Sequence, residues 1–291
     1  MLYVGGAAVP HAADAVAGAR AAGMAVAFVT NNASRRPGRV AEHLTGLGID
    51  AVADDVVTSG QAVVRLLQGR LPAGAVVLVL GTEDLAAEVQ DGGFVPTTKA
   101  DGAAAVVQGL DPTTSWIDLA EASVAIRAGA LWVAGNRDST YPSSRGPLPG
   151  NGAMVAALIL ATGKEPVVVG KPEPELHAAS VERVGARRPL VVGDRLDTDV
   201  LGAVRAGSDS LLVLTGVTDR DQLLSAPPGM RPTFVAHDLR ALLEPHEAPV
   251  VEGSTATCNG ENAWYEGEVL RTSSDGDDGL RAACALAWSR N

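Results

Sequence analysis

Residues 191–200 read VVGDRLDTDV, an apolar run that ends in three carboxylates, Asp194, Asp197 and Asp199, within six positions. Clustered acids repel one another and favour protonation unless something positive lies among them. A valine-rich run that breaks into polar residues is also how a buried parallel strand leaves its sheet. Two other stretches have that form: VAFV runs into Thr30-Asn31-Asn32, and VVVG runs into Lys171-Pro172. In an open parallel sheet the carboxyl ends of the strands share one edge, and ligands bind there. One hydroxyl, two amides, one ammonium and three carboxylates are therefore expected on a common edge, brought from distant parts of the chain.

Donors from Thr30, Asn31 and Lys171 suit the oxygens of a phosphate. The acids call for a hard cation with oxygen ligands. Mg2+ fits, because it takes one or two protein carboxylates, keeps waters and binds substrate phosphate. On this reading Asp194 binds Mg2+ directly, Asp199 binds it directly or through water, and Asp197 orients the loop. Each stretch also has a plainer reading. The TNN run can be a strand-to-helix turn, Lys171 an exposed loop lysine, and Asp197 to Asp199 the cap of a helix over 199–206. The three together, each after a valine-rich strand, are more specific than any one.

Outward from these stretches, apolar runs alternate with alanine-rich helical ones, the pattern of an α/β protein with a mostly parallel sheet. Helices are expected at 12–22, 38–47, 60–68, 84–91, 116–128, 154–163, 173–184 and 199–206. Strands are expected at 24–29, 56–58, 75–80, 103–108, 131–134, 166–170, 189–193 and 210–215. A fresh series begins near residue 70 and the first resumes near 166, so a second α/β unit is expected as an insert. Residues 135–152, GNRDSTYPSSRGPLPGNG, read as a turn-rich loop. The tail from about 248 reads as a small β-hairpin near 254–273, an acidic turn and a short helix, with a flexible tail as the alternative.

Length and charge narrow the field. The 291 residues are 46% hydrophobic, ample for two compact units. A net charge of −11 argues against nucleic acid or an anionic membrane as bulk partners. No apolar run reaches the length of a membrane span, and MLYVGGAAVP lacks the features of a signal peptide. Cys258 and Cys284 have no metal-ligand spacing and read as reduced thiols of a cytoplasmic protein, with a disulfide as the alternative. Of 23 basic residues only Lys99, Lys164 and Lys171 are lysines. In a chain that otherwise uses arginine, a remaining lysine is a functional candidate.

TNN, GKP and GDRLDTD, in this order around an inserted α/β unit, resemble motifs II, III and IV of haloacid-dehalogenase (HAD) superfamily phosphatases. The insert resembles the cap of subclass IIA, which holds para-nitrophenyl phosphatase-like enzymes, glycerol-phosphate phosphatases and pyridoxal phosphatases. The likeness runs from residue 2 to about 245. It implies a doubly wound, Rossmann-type core over 1–70 and 166–247, a cap over 71–165, and an extension over 248–291. It also implies that Thr30 and Asn31 hold the transferring phosphoryl group and that Lys171 neutralises its charge. Asp194 would bind Mg2+ with Asp199 in support. Asn32, Asn136 and Asp138 are the expected substrate-binding groups, the last two in the turn-rich loop of the insert. The implied reaction is attack by an aspartate on phosphorus, then hydrolysis of the aspartyl-phosphate. The substrate would be a small phosphorylated metabolite such as glycerol phosphate; a homodimer stays open.

One departure bears on activity. The family's motif I is Asp-x-Asp-Gly followed by Thr or Val. Here Leu2-Tyr3-Val4-Gly5-Gly6 resembles the residues after it, with Met1 where the Thr or Val belongs. The nucleophile and the acid/base aspartate are thus absent from these 291 residues, which are expected not to turn over phosphate esters. The expected cause is a misplaced gene start, with Asp-x-Asp-Gly encoded in frame upstream. The alternatives are a non-catalytic protein that keeps a phosphate and metal pocket, or a doubly wound domain whose strand-end residues only cap helices.

Overall fold

The computed structural model describes residues 1–4, 6–143 and 145–290; Gly5 of the expected post-motif run and Ser144 of the turn-rich loop lie outside them. The chain forms two compact units. One comprises Met1–Val26, Leu47–Ile49 and Gly185–Asn291; the other comprises Ala27–Gly46 and Asp50–Val184. The expected α/β class with parallel sheets is what both contain.

In the second unit, five parallel strands lie in the order Val167–Val168, Leu131–Ala134, Ala105–Gln108, Val76–Leu80, Val95–Thr97. Alternate side chains of a strand face opposite sides. Val77, Val79, Ala105, Val107 and Val133 join one apolar cluster, with Val63, Leu67, Leu85 and Val89 from the helices Ser59–Gln68 and Glu83–Asp91. Leu78, Leu80, Val106, Trp132 and Ala134 join the other, with Ala122, Ile126, Val155 and Leu158 from the helices Trp116–Arg127 and Asn151–Thr162. Burial on both faces is why these strands read as continuous apolar runs. The same unit holds a two-stranded parallel pair, Phe28–Thr30 with Val56–Thr58.

In the first unit, the strands Leu190–Gly193, Asp209–Val213 and Phe234–Ala236 form a parallel sheet in that order. The tail holds four antiparallel strands, Val250–Glu252, Thr255–Cys258, Glu261–Glu266 and Val269–Thr272, and the helix Asp277–Ser289. That helix buries Leu280, Ala283, Cys284 and Leu286. It also sends Arg281 to the sheet, where the guanidinium Nε donates to the Val235 carbonyl (3.2 Å). Burial pushes the Cys284 thiol up to about 12 and, with Asp278 beside it, the Cys258 thiol up to about 11. Both cysteines are free and buried.

Several expectations are corrected. The strand expected over 24–29 is confined to Phe28–Thr30, because its partner begins only at Val56, after the turn Ala53–Asp55. The strand over 166–170 shortens to Val167–Val168 and pairs with Leu131–Ala134. The helix over 199–206 opens as a wide turn at Leu196–Val200 before its regular part, Leu201–Arg205. The loop 135–152 contains a hairpin, Thr140–Ser143 with Gly146–Pro149. The tail has four strands where one hairpin was expected. No helix among the described residues is long and apolar enough to cross a membrane.

Candidate active site

Two groups of the expected residues are built, one on each unit. In the second unit, Thr30 closes its strand and its hydroxyl accepts the Asn32 N–H (3.1 Å). The Asn32 carboxamide oxygen accepts both the N–H and the hydroxyl of Ser34 (2.6 Å each). That is an Asx turn, which bends the chain toward the helix Pro37–Gly46. Asn31 is buried between these two, and its side chain is used on partners far away in sequence. Its Oδ1 accepts the Lys171 N–H (2.7 Å), and its Nδ2 donates to the Lys171 carbonyl (3.0 Å) and to Asp138 (3.2 and 3.4 Å). One carboxamide thus grips both sides of the Lys171 backbone. The Lys171 ammonium lies at the same strand end, 3.4 Å from the Val29 carbonyl.

The carbonyl of Asn31 is held as firmly as its side chain. It accepts from the Ser59 hydroxyl (2.6 Å) and from Asn136 Nδ2 (2.7 Å). Ser59 is fully buried at the start of its helix. A reciprocal cap fixes that start, in which Thr58 Oγ1 accepts the Gln61 N–H and Gln61 Oε1 accepts the Thr58 N–H. Asn136 is buried too; its Oδ1 accepts the Asp138 N–H (3.1 Å), and Asn151 Nδ2 donates to its carbonyl (2.8 Å). So the structure brings Thr30, Asn31, Lys171, Asn136 and Asp138 together, with Asn32 shaping the turn beside them. Gly170 makes this approach possible. A Cβ there would overlap the Gly135 carbonyl and meet Asn31 Oδ1 at 2.9 Å.

In the first unit, each of the three acids meets a different partner. Asp194 follows its strand and its Oδ2 accepts the Val217 N–H (2.8 Å), while its Oδ1 lies 3.2 Å from the Met1 ammonium. Asp199 is buried, and its Oδ2 accepts the N–H groups of Asp194 and Arg195 (3.2 Å each). Asp197 is exposed and takes both arms of the Arg195 guanidinium (3.0 and 2.7 Å). Repulsion among the acids is therefore relieved by backbone N–H groups for Asp194 and Asp199 and by the Arg195 guanidinium for Asp197. Gly193 and Gly216 leave room for the Asp199 and Asp194 carboxylates, which a Cβ at either position would strike.

Among the described residues no three His, Cys, Asp or Glu side chains are grouped to hold a metal ion. The donor set of Asp194 still fits a hard cation. It is a carboxylate at a strand end, and Mg2+ needs only one or two protein carboxylates. Asp199 is spent on holding the turn that carries Asp194. Sequence reasoning found the strand-end groups and the GKP stretch that holds Gly170, but missed Ser59 and Gly216 and gave Asn151 no role. Ser59 left a faint signal: it follows VVT, a short strand, and begins a helix.

Residues 1–95 match the family model described as haloacid dehalogenase-like hydrolase, and residues 168–242 match a second, HAD-hydrolase-like model. A D-glycerol 3-phosphate phosphatase of Mycobacterium tuberculosis is 57% identical over 216 residues, which span 74% of this chain and 61% of that protein's length. An acid sugar phosphatase of Staphylococcus saprophyticus is 35% identical over 75% of this chain and 83% of its own length. Among solved structures, glycerol phosphate phosphatase from Mycobacterium tuberculosis in complex with magnesium superposes with a TM-score of 0.86. It is 45% identical, over 99% of this chain and 88% of that one.

Proposed function

The chain belongs to the haloacid dehalogenase superfamily, subclass IIA, and from that premise we propose that it serves Mg2+-dependent hydrolysis of a small phosphate monoester, glycerol phosphate foremost. The observation that carries the reading is the grip of Asn31 on Lys171. It joins two motifs 140 positions apart, and it sets an ammonium beside the Thr30 strand end, where phosphate oxygens need donors.

In this reading Thr30 offers its hydroxyl to the phosphoryl group and Asn31 its backbone, since the Asn31 side chain is occupied. Lys171 neutralises charge on the phosphoryl oxygens. Asp194 would hold Mg2+, with Asp199 fixing the turn behind it. When bound, the metal supplies charge stabilisation to the phosphoryl oxygens. Asp138, tied to the Asn31 carboxamide, and Asn32 stand nearest to the substrate. The division into a core over 1–70 and 166–247 and a cap over 71–165 belongs to the same reading, as does a cytoplasmic setting in which Cys258 and Cys284 stay thiols. The attacking aspartate is not supplied by these residues. The first acid of the chain is Asp14, exposed on the helix Ala12–Ala21.

The identity to glycerol and sugar phosphate phosphatases supports the substrate class. In a form of the chain that carries Asp-x-Asp-Gly ahead of Leu2, kcat/KM for glycerol 3-phosphate is expected to exceed that for hexose phosphates and nucleoside monophosphates by about tenfold or more. A flat profile, or a preference for nucleotides, would reject glycerol phosphate. A second reading, a protein that binds phosphate and metal without turnover, predicts phosphate binding but no phosphate release in that same form.

A homodimer is part of the proposal. The helix Asn151–Thr162 carries no charged residue, yet Leu160 on it is 90% exposed, and Trp116 on the neighbouring helix is 79% exposed. The proposed dimer would close over these side chains, which removes them from water. Light scattering should return twice the 29.6 kDa chain mass, and Leu160→Lys should return the monomer. A monomer at all concentrations for the unaltered chain would reject the dimer.

A further inference from the structure

Asn31 spends its carboxamide on Lys171 and Asp138, yet its position is set elsewhere, by two buried donors to its carbonyl. The Ser59 hydroxyl and the Asn136 carboxamide converge on that oxygen at 2.6 and 2.7 Å, and both residues are almost wholly shielded from water. A buried donor that loses its acceptor is costly, so each bond resists displacement of the carbonyl. The two donors come from different elements. Ser59 begins a helix behind a reciprocal cap, and Asn136 follows a sheet strand and is held in turn by Asn151. The Asn31 peptide is therefore fixed from two directions. A shift in that peptide passes through the carboxamide to both sides of the Lys171 backbone.

We infer that Ser59 and Asn136 are positioning residues: they hold the Asn31 carbonyl and thereby set where the Lys171 ammonium meets a phosphate oxygen. The inference rests on the phosphatase reading above, and it gives Asn136 a role distinct from touching the substrate. Asn136 offers its Nδ2 to Asn31 and its Oδ1 to the backbone of Asp138. Its influence on binding passes through those two residues. The Ser59 hydroxyl donates to the Asn31 carbonyl, and its influence on a ligand runs through that bond.

The chain has only three lysines, Lys99, Lys164 and Lys171, which makes the test direct and independent of turnover. Trace acetylation of the folded 291-residue chain with acetic anhydride, read lysine by lysine by mass spectrometry, is repeated over a titration of inorganic phosphate with Mg2+ present. Phosphate should protect Lys171 and leave Lys99 and Lys164 unchanged. In Asn136→Asp, which keeps the acceptor to Asp138 but removes the donor to Asn31, half-protection should need at least about tenfold more phosphate. Ser59→Ala should act in the same direction. Gln108→Met, which removes a different buried bond of the same unit, the one to Trp132 Nε1, should leave the titration where it was. Unchanged protection in both Asn136→Asp and Ser59→Ala overturns the inference while the phosphate site stands. An equal shift in Gln108→Met overturns it as well, because general loosening would then explain the effect. No protection of Lys171 in the unaltered chain overturns the site reading and the inference with it.

Discussion

The 291-residue chain, given Mg2+ and para-nitrophenyl phosphate, should release phosphate at least about 10^3-fold more slowly than a form preceded by an apolar strand ending in Asp-x-Asp-Gly. Covalent phosphoryl transfer needs a carboxylate in line with phosphorus, which the proposed reading assigns to an Asp-x-Asp-Gly ahead of Leu2. Asp194 and Asp199 are engaged with backbone N–H groups at a turn, and Asp14 stands exposed on a helix. Each unit has a strand with an unpaired edge. Among the described residues, Phe28–Thr30 pairs only with Val56–Thr58, and Leu190–Gly193 pairs only with Asp209–Val213. Val29, Val191 and Val192 stay half-buried, where strands of a parallel sheet are ordinarily covered. Equal rates for the two forms would sink the proposal that the nucleophile is missing. An inert extended form that still binds phosphate would favour the non-catalytic reading.

Asp194→Asn in the extended form should remove Mg2+-dependent turnover by about 10^2-fold or more, since metal stabilisation of transferring phosphate is worth several kcal/mol. The substitution is almost isosteric. The asparagine oxygen can still accept the Val217 N–H, so thermal stability should change little while the charge offered to the cation is gone. Gly216→Ala tests the same carboxylate from the other side, because its Cβ would push Asp194 aside without altering charge. Both variants should raise the Mg2+ concentration needed for half-maximal rate. Wild-type rates and Mg2+ dependence in Asp194→Asn would remove Asp194 from the metal site.

How much was legible in the sequence follows from where each signal lies. Strands buried on both faces announce themselves as valine runs, so Val76–Leu80, Ala105–Gln108 and Leu131–Ala134 are readable almost to the residue. The strands TYPS and GPLP are not, because proline and glycine in a two-stranded ribbon look like turn chemistry. The polar tail strands are half-solvated and carry the same ambiguity. At the site, residue type points to Thr30, Lys171 and Asp194. The role of Ser59 is a matter of contact across 28 positions, and the grip of Asn31 on Lys171 spans 140. Such pairings are written in the fold and leave no periodic trace.

The guanidinium of Arg281 on the Val235 carbonyl has a bearing on how this tail came to be tolerated. Phe234–Ala236 is the last strand of its sheet, and a last strand is where copies of a protein stick to one another during synthesis and storage. The backbone acceptor through which a foreign strand would register is already engaged, by a side chain that is itself buried and paired with Asp278 (2.7 Å). Residues beyond the family-model match, which ends at 242, thus occupy a backbone acceptor that an intruding strand would need. Without them that acceptor would face outward, open to the edge of another chain.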